Sequence, residues 1–364
     1  MDSTEVSADE RPPEGRTQTS FTESVKFTDI EQVLADQFGE RFRLYRRDFH
    51  KSLNYDENNF LPDFPITVSM ELVNRCNLSC IMCYTINHEE KKTTLKRPTI
   101  ARVLSECEAR GLPALVVGLG AEPLLYKGAR EVLSTARDAG VMDIFLGTNG
   151  VLLTEQMSTF LVERRIARLE VSLDAATPET YHKIRGKNQL DLIEENLHKF
   201  LEVRKRMGAR LPVLRLCFCV QEANLHEREA FLKKWEKHAD YIDFQKLFDF
   251  TPIDELRATG TVSGVEELVV EDTHCAYPFN SLHIWSNGNV TPCCTFFAKN
   301  DDLVVGNVQE QTLKDIWEGE PIKEIRQQLM SGELNPTCRV CLAQRDAERF
   351  EEVKRQNRDD GYGG

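Results

Sequence analysis

The chain lacks several features that would place it in common classes of protein. No run of about 18 apolar residues occurs, so no membrane-spanning helix is expected. The N-terminus, MDSTEVSADERPPEGRTQTS, has no apolar segment and is not a secretory signal. Basic residues are in deficit: 46 Lys and Arg stand against 59 Asp and Glu, a formal net charge of −13, which argues against binding nucleic acid through phosphate contacts. We therefore expect a cytoplasmic protein that binds neither membranes nor nucleic acid.

Cysteine, by contrast, is abundant. Eleven cysteines in a reducing compartment do not indicate a disulfide framework, so their spacing decides between metal ligands and scattered core thiols. Seven fall into two groups with ligand-like spacing. The other four fit no ligand pattern: Cys107, Cys217, Cys219 and Cys294.

The first group lies in the segment NRCNLSCIMCYT, which places Cys76, Cys80 and Cys83 within eight residues. A structural zinc site normally takes four protein ligands. Iron–sulfur clusters are also held by thiolates, usually four of them. Three thiolates leave one coordination position open, so we expect the absent fourth ligand to be a small molecule.

Short apolar segments alternate with helical patterns between about residues 68 and 250. This alternation predicts a parallel sheet with right-handed crossovers. Six such units are fewer than the eight of a closed barrel, so the fold class is α/β, a partial (β/α)6 TIM-like barrel. The predicted strands cover 67–73, 114–120, 143–150, 168–174, 213–220 and 241–248, and the predicted helices 98–110, 127–139, 154–164, 190–207 and 227–238.

Two predicted strands carry polar residues on one face. Glu170, Ser172 and Asp174 alternate with apolar residues in one strand, together with Arg168, and Arg215, Cys217 and Cys219 do so in the next. A polar face is unusual for a buried parallel strand. Either a barrel lumen holds a polar ligand there, or these groups pair with each other, as Glu170 and Arg215 would.

The three clustered cysteines follow the first strand, at the end of the sheet where β/α folds carry their chemistry. Cys76-x-x-x-Cys80-x-x-Cys83 at this position resembles the signature of the radical S-adenosylmethionine (SAM) enzymes. Three further segments resemble that family's motifs in order: GLGAEPL (118–124), GTNG (147–150) and EVSLDA (170–175). Two positions depart from the family pattern. Met82 replaces a frequent aromatic residue, and Ala121 replaces the second glycine of GGEP, which is tolerable unless the backbone there needs a positive φ.

The resemblance implies the cofactors and the chemistry. A [4Fe–4S] cluster on Cys76, Cys80 and Cys83 binds SAM, one electron cleaves SAM, and the resulting 5′-deoxyadenosyl radical removes a hydrogen atom from a substrate. The reducing electron comes from a donor such as flavodoxin or ferredoxin. The residues implied in SAM binding are Gly120, Ala121, Glu122 and Ser172.

The second cysteine group resembles the SPASM domain, a C-terminal extension of radical SAM enzymes that carries auxiliary Fe–S clusters. The matching segments are CAYPFNSLHIWSNGNVTPCC (275–294) and CRVC (338–341). Four ligands, Cys275, Cys293, Cys338 and Cys341, suffice for one auxiliary [4Fe–4S] cluster, as in the shortened "twitch" variant. The same cysteine spacing also fits a structural zinc site with four cysteine ligands. In either case, Cys294 could replace Cys293 as a ligand. If Cys294 is no ligand, it is either a buried thiol or a hydrogen-atom donor to a substrate radical.

These motifs divide the chain into five parts. They are a disordered tail (1–25), an N-terminal helical extension (26–66) with one helical stretch at 31–53, the radical SAM partial barrel (67–255), a small cysteine-rich Fe–S domain of SPASM/twitch type (256–343) and a charged C-terminal tail (344–364).

The expected reaction is oxidation or epimerisation of a small polar, sugar- or aminocyclitol-like substrate. A four-cysteine cluster has no open iron, which favours electron transfer over substrate ligation. Two alternatives stay open. One is a maturase that modifies a ribosomally made peptide, although such enzymes often carry a leader-binding domain of about eighty residues before the barrel, and only about 65 residues precede the first strand here. The other is a non-catalytic Fe–S or zinc-binding electron carrier.

Overall fold

The computed structural model describes residues 22–83, 92–118, 120–248, 268, 270–294 and 303–344. They form a mixed α/β fold built on one ten-stranded sheet with the strand order β1-β7-β6-β5-β4-β3-β2-β8-β9-β10. The six central strands β2 to β7 are parallel. The sheet stays open, since β2 and β7 do not pair within the described part of the chain. This is the predicted partial barrel. The strands are β1 (Thr22–Lys26), β2 (Thr67–Met70), β3 (Ala114–Val117), β4 (Asp143–Thr148), β5 (Arg168–Ser172), β6 (Val213–Val220), β7 (Tyr241–Lys246), β8 (Ser281–Ile284), β9 (Asn289–Thr291) and β10 (Gly306–Asn307).

Helices cross over between the parallel strands and begin at the positions where capping residues occur. Thr154 and Thr177, for example, each accept a backbone N–H of the first helical turn through the side chain. The helices are α1 (Ile30–Phe38), α2 (Glu40–Leu53), α3 (Tyr55–Asn58), α4 (Arg97–Arg110), α5 (Ala129–Asp138), α6 (Glu155–Glu163), α7 (Pro178–Arg185), α8 (Leu190–Arg206), α9 (Arg228–Trp235), α10 (Tyr277–Asn280), α11 (Leu313–Trp317), α12 (Glu320–Ser331) and α13 (Pro336–Ala343).

Except for β6, the strands end earlier at their C-terminal side than their apolar segments predicted. β2 stops at Met70 rather than residue 73, and β3 stops at Val117 because Gly118 turns the chain with φ +114°. A Cβ at Gly118 would lie 2.1 Å from the carbonyl oxygen of Gly147, so only glycine fits this approach of two strand ends. The residues that follow the strands form the loops of the candidate site.

The N-terminal extension differs from its prediction in two respects. Residues 22–25, assigned to a disordered tail, belong to β1, which pairs antiparallel with the edge strand β7. Residues 1–21 lie outside the described residues. The single helical stretch is two helices, because Gly39 between α1 and α2 has a φ of +68°. Both helices pack across the N-terminal ends of the strands, where apolar residues such as Leu34 and Phe42 join a separate buried cluster.

Arg168 belongs to this N-terminal end and not to a ligand-binding lumen. Its guanidinium donates to both carboxylate oxygens of Asp143, at 2.8 and 2.9 Å, and the Tyr45 hydroxyl of α2 donates to the same carboxylate. Burial opposes ionisation of Asp143, but Arg168 holds the pKa of that carboxyl below its usual range. The ion pair joins β5 to β4, and the Tyr45 hydrogen bond links α2 to it.

The C-terminal cysteine-rich part continues the sheet instead of forming a separate layer. β8 pairs parallel with β2, in register from Thr67 with Ser281 to Met70 with Ile284, and β9 and β10 follow antiparallel. This pairing was not predicted. The Glu106 carboxylate of α4 accepts the backbone N–H groups of Leu313 and Lys314, which docks α11 onto the barrel. Within the described ranges, none of the helices combines the length and apolar character that crossing a membrane requires.

Candidate functional site

The loop after β2 carries the first three cysteines and rests on the end of α7. Ser79 and Ile81 donate backbone hydrogen bonds to the carbonyl oxygens of Arg185 and Ile184, at 3.2 and 2.9 Å. Gly186 ends α7 with φ +73°, and a Cβ there would lie 2.7 Å from the Ser79 carbonyl oxygen. Glycine at 186 therefore allows the two backbones to approach each other.

The three thiols lie near one another at the C-terminal end of the sheet. The Cys83 N–H donates to the Cys80 carbonyl oxygen at 3.0 Å, which closes the loop into a turn. Desolvation raises the pKa of the Cys76 thiol, and the neighbouring charges of Glu122, Cys80 and Cys83 raise it further. This mutual influence indicates that the three thiols lie close to one another.

Arg185 links this loop to the polar end of β5. Its Nη1 donates to Cys80 Sγ at 3.5 Å, and its Nη2 lies 2.6 Å from Asp174 Oδ2. Both side chains are buried, at 9% and 1% exposure. Burial lowers the pKa of Arg185, but the charges of Asp174 and Cys80 outweigh it and raise the pKa above its ordinary value. A fixed positive charge thus lies beside a thiol that would bind as thiolate.

Asp174 is itself held in a fixed geometry. Its φ is +64°, in the left-handed region where Asp and Asn are among the tolerated residues. The Cys219 N–H donates to Asp174 Oδ1 at 2.7 Å, and Asn224 Nδ2 donates to its carbonyl oxygen at 2.9 Å. These contacts place Asp174 next to Arg185 and leave it no free carboxylate for a substrate.

Glu122 ties the loop after β3 to the end of β4. Its carboxylate accepts from Thr148 Oγ1 at 2.8 Å, from the Asn149 N–H at 2.8 Å and from the Leu124 N–H at 3.1 Å. Its own N–H donates to the Arg75 carbonyl oxygen, just before Cys76. Burial raises the pKa of Glu122, and these hydrogen bonds act in the opposite direction. The side chain therefore positions the loops around Cys76.

The other predicted SAM-binding residues and Asn149 lie at neighbouring strand ends and loops. Gly120 has φ +81°, whereas Ala121 is not among the positive-φ residues of the described chain, so its methyl group is compatible with the turn. Ser172 is half-buried at the end of β5 and pairs in register with Cys217. Asn149 reaches the cysteine loop, where its Nδ2 lies 3.6 Å from Cys76 Sγ and donates to Asn77 Oδ1 at 2.7 Å.

The polar face inside the sheet is a charged network. Arg215 bridges two acids from the strands on either side, Glu170 at 2.6 Å and Asp243 at 2.5 Å. The Glu170–Arg215 pairing that the sequence left open is therefore present. Arg215 Nε and Asp243 Oδ1 are buried without a hydrogen-bond partner among the described residues. These two atoms could therefore hydrogen-bond to a ligand in the lumen.

The second cysteine group gathers around Cys293, which follows β9. Burial raises the pKa of the Cys293 thiol most, and Cys294, Cys338, Cys275 and Cys341 raise it further. Cys338 and Cys341 are three residues apart on α13 and therefore share one face. Asn335 caps this helix, accepting the Cys338 N–H at 2.8 Å, and its Nδ2 lies 3.3 Å from Cys338 Sγ. In the described ranges, no three His, Cys, Asp or Glu side chains are spaced as ligands of a single metal ion.

Cys294 has different surroundings from its neighbour. Burial raises its pKa, and a hydrogen bond with the phenol of Tyr277 lowers it. Its charge in turn raises the pKa of Cys293, as do the charges of the three other thiols. The Cys294 thiol thus has a hydrogen-bond partner in Tyr277 as well as a close neighbour in Cys293.

Sequence reasoning missed the contribution of α7. This helix of eight residues supplies Arg185 and Gly186 to the cysteine loop and Tyr181 beneath it. The available signal was TPE at 177–179, a capping threonine followed by a proline in the first turn. Arg185 lies 105 residues from Cys80 along the chain, so no local pattern could reveal their contact.

The amino-acid sequence matches two family models. Residues 70–233 match the radical SAM superfamily, and residues 275–342 match SPASM, an iron–sulfur cluster-binding domain. Among curated proteins, the probable GTP 3′,8-cyclase of Methanocaldococcus jannaschii is 25% identical over 190 residues, which are 52% of this chain and 60% of that protein. The probable GTP 3′,8-cyclase of Methanothermobacter thermautotrophicus is 28% identical over 269 residues, 66% of this chain and 86% of that protein. The chain thus spans about 60% of the length of the first curated relatives that it matches.

Solved structures show the same fold. Native anSMEcpe with bound AdoMet superimposes with a TM-score of 0.55 and 14% identity, over 81% of this chain and 98% of that one. SuiB of Streptococcus suis bound to SAM superimposes with a TM-score of 0.52 and 17% identity, over 82% of this chain and 83% of that one. With both domain matches in the order of the two cysteine groups, the chain belongs to the radical SAM superfamily and carries a C-terminal SPASM domain, a combination that implies SAM, a [4Fe–4S] cluster and an auxiliary Fe–S cluster as cofactors.

Proposed function

We propose that Cys76, Cys80 and Cys83 hold the cluster that binds SAM. The convergence of the three thiols supports this assignment. So do polar groups beside them that have no partner within the described chain: the Tyr181 hydroxyl and Arg185 Nε are buried and unpaired, and both groups lie near Cys80. Hydrogen-bond donors of this kind suit the sulfurs of a cluster. When bound, the cluster and SAM supply a 5′-deoxyadenosyl radical for hydrogen-atom abstraction.

The protein's own residues orient and shield this site. Arg185 offsets the negative charge of the thiolates, Asn149 holds the loop at Cys76, and the backbone of Gly120 and Ala121 provides carbonyl oxygens for the amino group of SAM. Ser172, at the end of β5, completes the proposed contacts. Glu122 acts indirectly, because its carboxylate is occupied by the three hydrogen bonds that join the loops after β3 and β4.

The auxiliary cluster is assigned to Cys275, Cys293, Cys338 and Cys341. The observation that carries the functional proposal is the meeting of these four thiols, with Cys294 turned to Tyr277. Four thiolates leave no open iron, so this cluster suits electron transfer. We therefore favour net oxidation of the substrate, in which the auxiliary cluster accepts the second electron, over epimerisation, which requires a hydrogen-atom donor such as Cys294.

The proposed substrate is a small polar molecule of the sugar or aminocyclitol class. The lumen network of Glu170, Arg215 and Asp243 supports it, because these groups offer donors and acceptors for hydroxyl or amino groups close to the radical site. Electrons for SAM cleavage would come from a small donor such as flavodoxin or ferredoxin.

A second candidate reaction is a radical rearrangement of a purine nucleotide. It is favoured by the 28% identity to a probable GTP 3′,8-cyclase over 86% of that protein. The lumen residues are compatible with it, since Arg215 is a cation at the polar face. A ribosomally made peptide remains the third substrate class, and a non-catalytic electron carrier is the alternative without substrate.

The test is anaerobic incubation with SAM and dithionite, with 5′-deoxyadenosine measured by chromatography. We expect slow cleavage without substrate, none in the Cys76/Cys80/Cys83 triple alanine variant, and stimulation by an aminocyclitol or sugar panel. Stimulation by GTP alone would replace the proposed substrate class with a nucleotide, and stimulation by peptides alone would replace it with a peptide. Absence of cleavage in the fully reconstituted wild type would leave the electron-carrier function.

A further inference from the structure

A cavity of about 430 Å³ lies between the residues after α2 and the C-terminal helices. One wall is formed by Tyr55 and Phe279, whose rings are stacked at 3.5 Å and 7°. Trp317 and Arg326 form another wall, and Met330 stands at its rim with 65% exposure. The lining thus combines aromatic rings with one buried cation.

Arg326 is held in place but its charge is not neutralised. The residue is 6% exposed, its Nε donates to the Pro278 carbonyl oxygen at 2.8 Å, and its Nη1 donates to the Trp317 carbonyl oxygen at 3.0 Å. Its guanidinium lies 4.2 Å from the Trp317 ring centroid. Nη2 is buried without a hydrogen-bond partner in the described chain. Burial lowers the pKa of Arg326 to about 10, so it stays charged at neutral pH.

The other charged residues that line the cavity do not neutralise the charge of Arg326. Glu318 is paired with Lys314 at 2.7 Å, and Lys323 is paired with Glu320 at 2.8 Å. Asp63 is exposed at the edge and forms no ion pair with Arg326 within the described ranges. A buried cation without a counter-ion costs free energy that an anion at the cavity would return.

The geometry points to a second ligand site here, which takes a small oxyanion carried on a planar apolar body. The oxyanion, a carboxylate or a phosphate monoester, faces Arg326, and the planar body packs against Tyr55, Phe279 and Trp317. This site does not depend on the proposed reaction. It backs onto the segment before Cys275, because Tyr55 also stacks on His274 at 4.8 Å.

The test uses the full-length protein with benzoate, phenyl phosphate and the uncharged benzamide as probes, and it measures binding by calorimetry. Substitution of Arg326 would also break its bonds to two carbonyl oxygens, so the decisive variants are at the exposed rim. Met330→Glu brings a negative charge to the mouth, Met330→Lys brings a positive one, and Met330→Gln is the neutral control. All three replace a side chain that is mostly in solvent.

We expect one or both anions to bind the wild type and benzamide to bind much more weakly. Met330→Glu should weaken anion binding by about fivefold, and Met330→Lys should strengthen it by a similar factor, which is the effect of one partly screened charge. Met330→Gln should stay within about twofold. Preference for benzoate or phenyl phosphate separates a carboxylate site from a phosphate site. Equal binding of benzamide, no binding of either anion at millimolar concentration, or equal affinities in the Glu and Lys variants would each overturn the proposal.

Discussion

The buried ion pair beside the cysteine loop gives the sharpest stability prediction. Arg185→Met keeps an apolar side chain of similar length and leaves Asp174, which is 1% exposed, without its cation. Removing one partner of a buried pair typically costs about 3–5 kcal/mol, because the remaining charge stays buried and unpaired. We expect a loss of this size in the free energy of unfolding of the apoprotein at pH 7.

Two matched variants distinguish this cause from a general loss of packing. Asp174→Asn added to Arg185→Met removes the orphaned charge, and asparagine also tolerates the φ of +64°. The double variant should regain about 2 kcal/mol or more. Arg206→Met removes an exposed partner of Glu155, at 63% and 55% exposure, and should cost at most about 1 kcal/mol.

The pH dependence provides a second check on the same variants. Even beside Arg185, burial raises the pKa of Asp174 above its ordinary value of 3.8, and loss of the guanidinium removes an interaction that opposes this rise. A raised folded pKa means that stability is lost as pH rises, so the deficit of Arg185→Met should shrink between about pH 7 and pH 5. The assay is urea denaturation followed by circular dichroism. A single variant within about 1 kcal/mol of the wild type, or a double variant no more stable than the single one, would refute the reasoning.

Three further predictions follow from the same structure. Gly118→Ala should yield little folded protein, because its Cβ would lie 2.1 Å from the Gly147 carbonyl oxygen. The control is Gly208→Ala, which is also at positive φ but has nothing within 4 Å of the added Cβ. It should lower the free energy of unfolding, measured by thermal denaturation, by only about 1 kcal/mol. Burial opposes ionisation of Glu227, but threonine hydroxyls and backbone amides at the start of α7 bring its pKa below 4.5. The ionised carboxylate therefore stabilises the fold above that pH, and this stabilisation is lost below it. Glu227→Gln should reduce the change in melting temperature between about pH 5 and pH 3.5. Cys293→Ala should remove about four iron atoms and Cys294→Ala none, as measured by iron content, and equal loss in both would reject the assignment of the auxiliary ligands.

The sequence predicted the barrel well because its information is local. Most central strands are largely buried and appear as short apolar runs between helical patterns. β5 and β6 carry polar residues on one face but keep apolar residues on the other. β6, for instance, covers the predicted residues 213–220 without a change. Cysteine spacing is also local information. The first group follows the end of β2, and the second lies after β9 and on the short helix α13.

The missed features depend on contacts between distant parts of the chain. β8 has only four residues, and nothing in SLHI indicates that it pairs with β2, more than 200 residues earlier. The short helix α7 gave a weak pattern, although Arg185 contacts both Cys80 and Asp174. Glu122 lies in a recognisable motif, but its hydrogen bonds to Thr148 and Asn149 appear only in the folded chain. The hydrogen bond between Cys294 and Tyr277 likewise appears only in the folded chain.

The central claim is that the two cysteine groups hold two different iron–sulfur clusters. The most direct measurement is an anaerobic iron and sulfide count on reconstituted protein, for the wild type and the Cys76/Cys80/Cys83 triple alanine variant. The account predicts about eight iron atoms in the wild type and about four in the variant, with no SAM cleavage in the variant. About four iron atoms that fall to none, with zinc retained at the C-terminal cysteines, would contradict it, because net oxidation would then lack its electron acceptor.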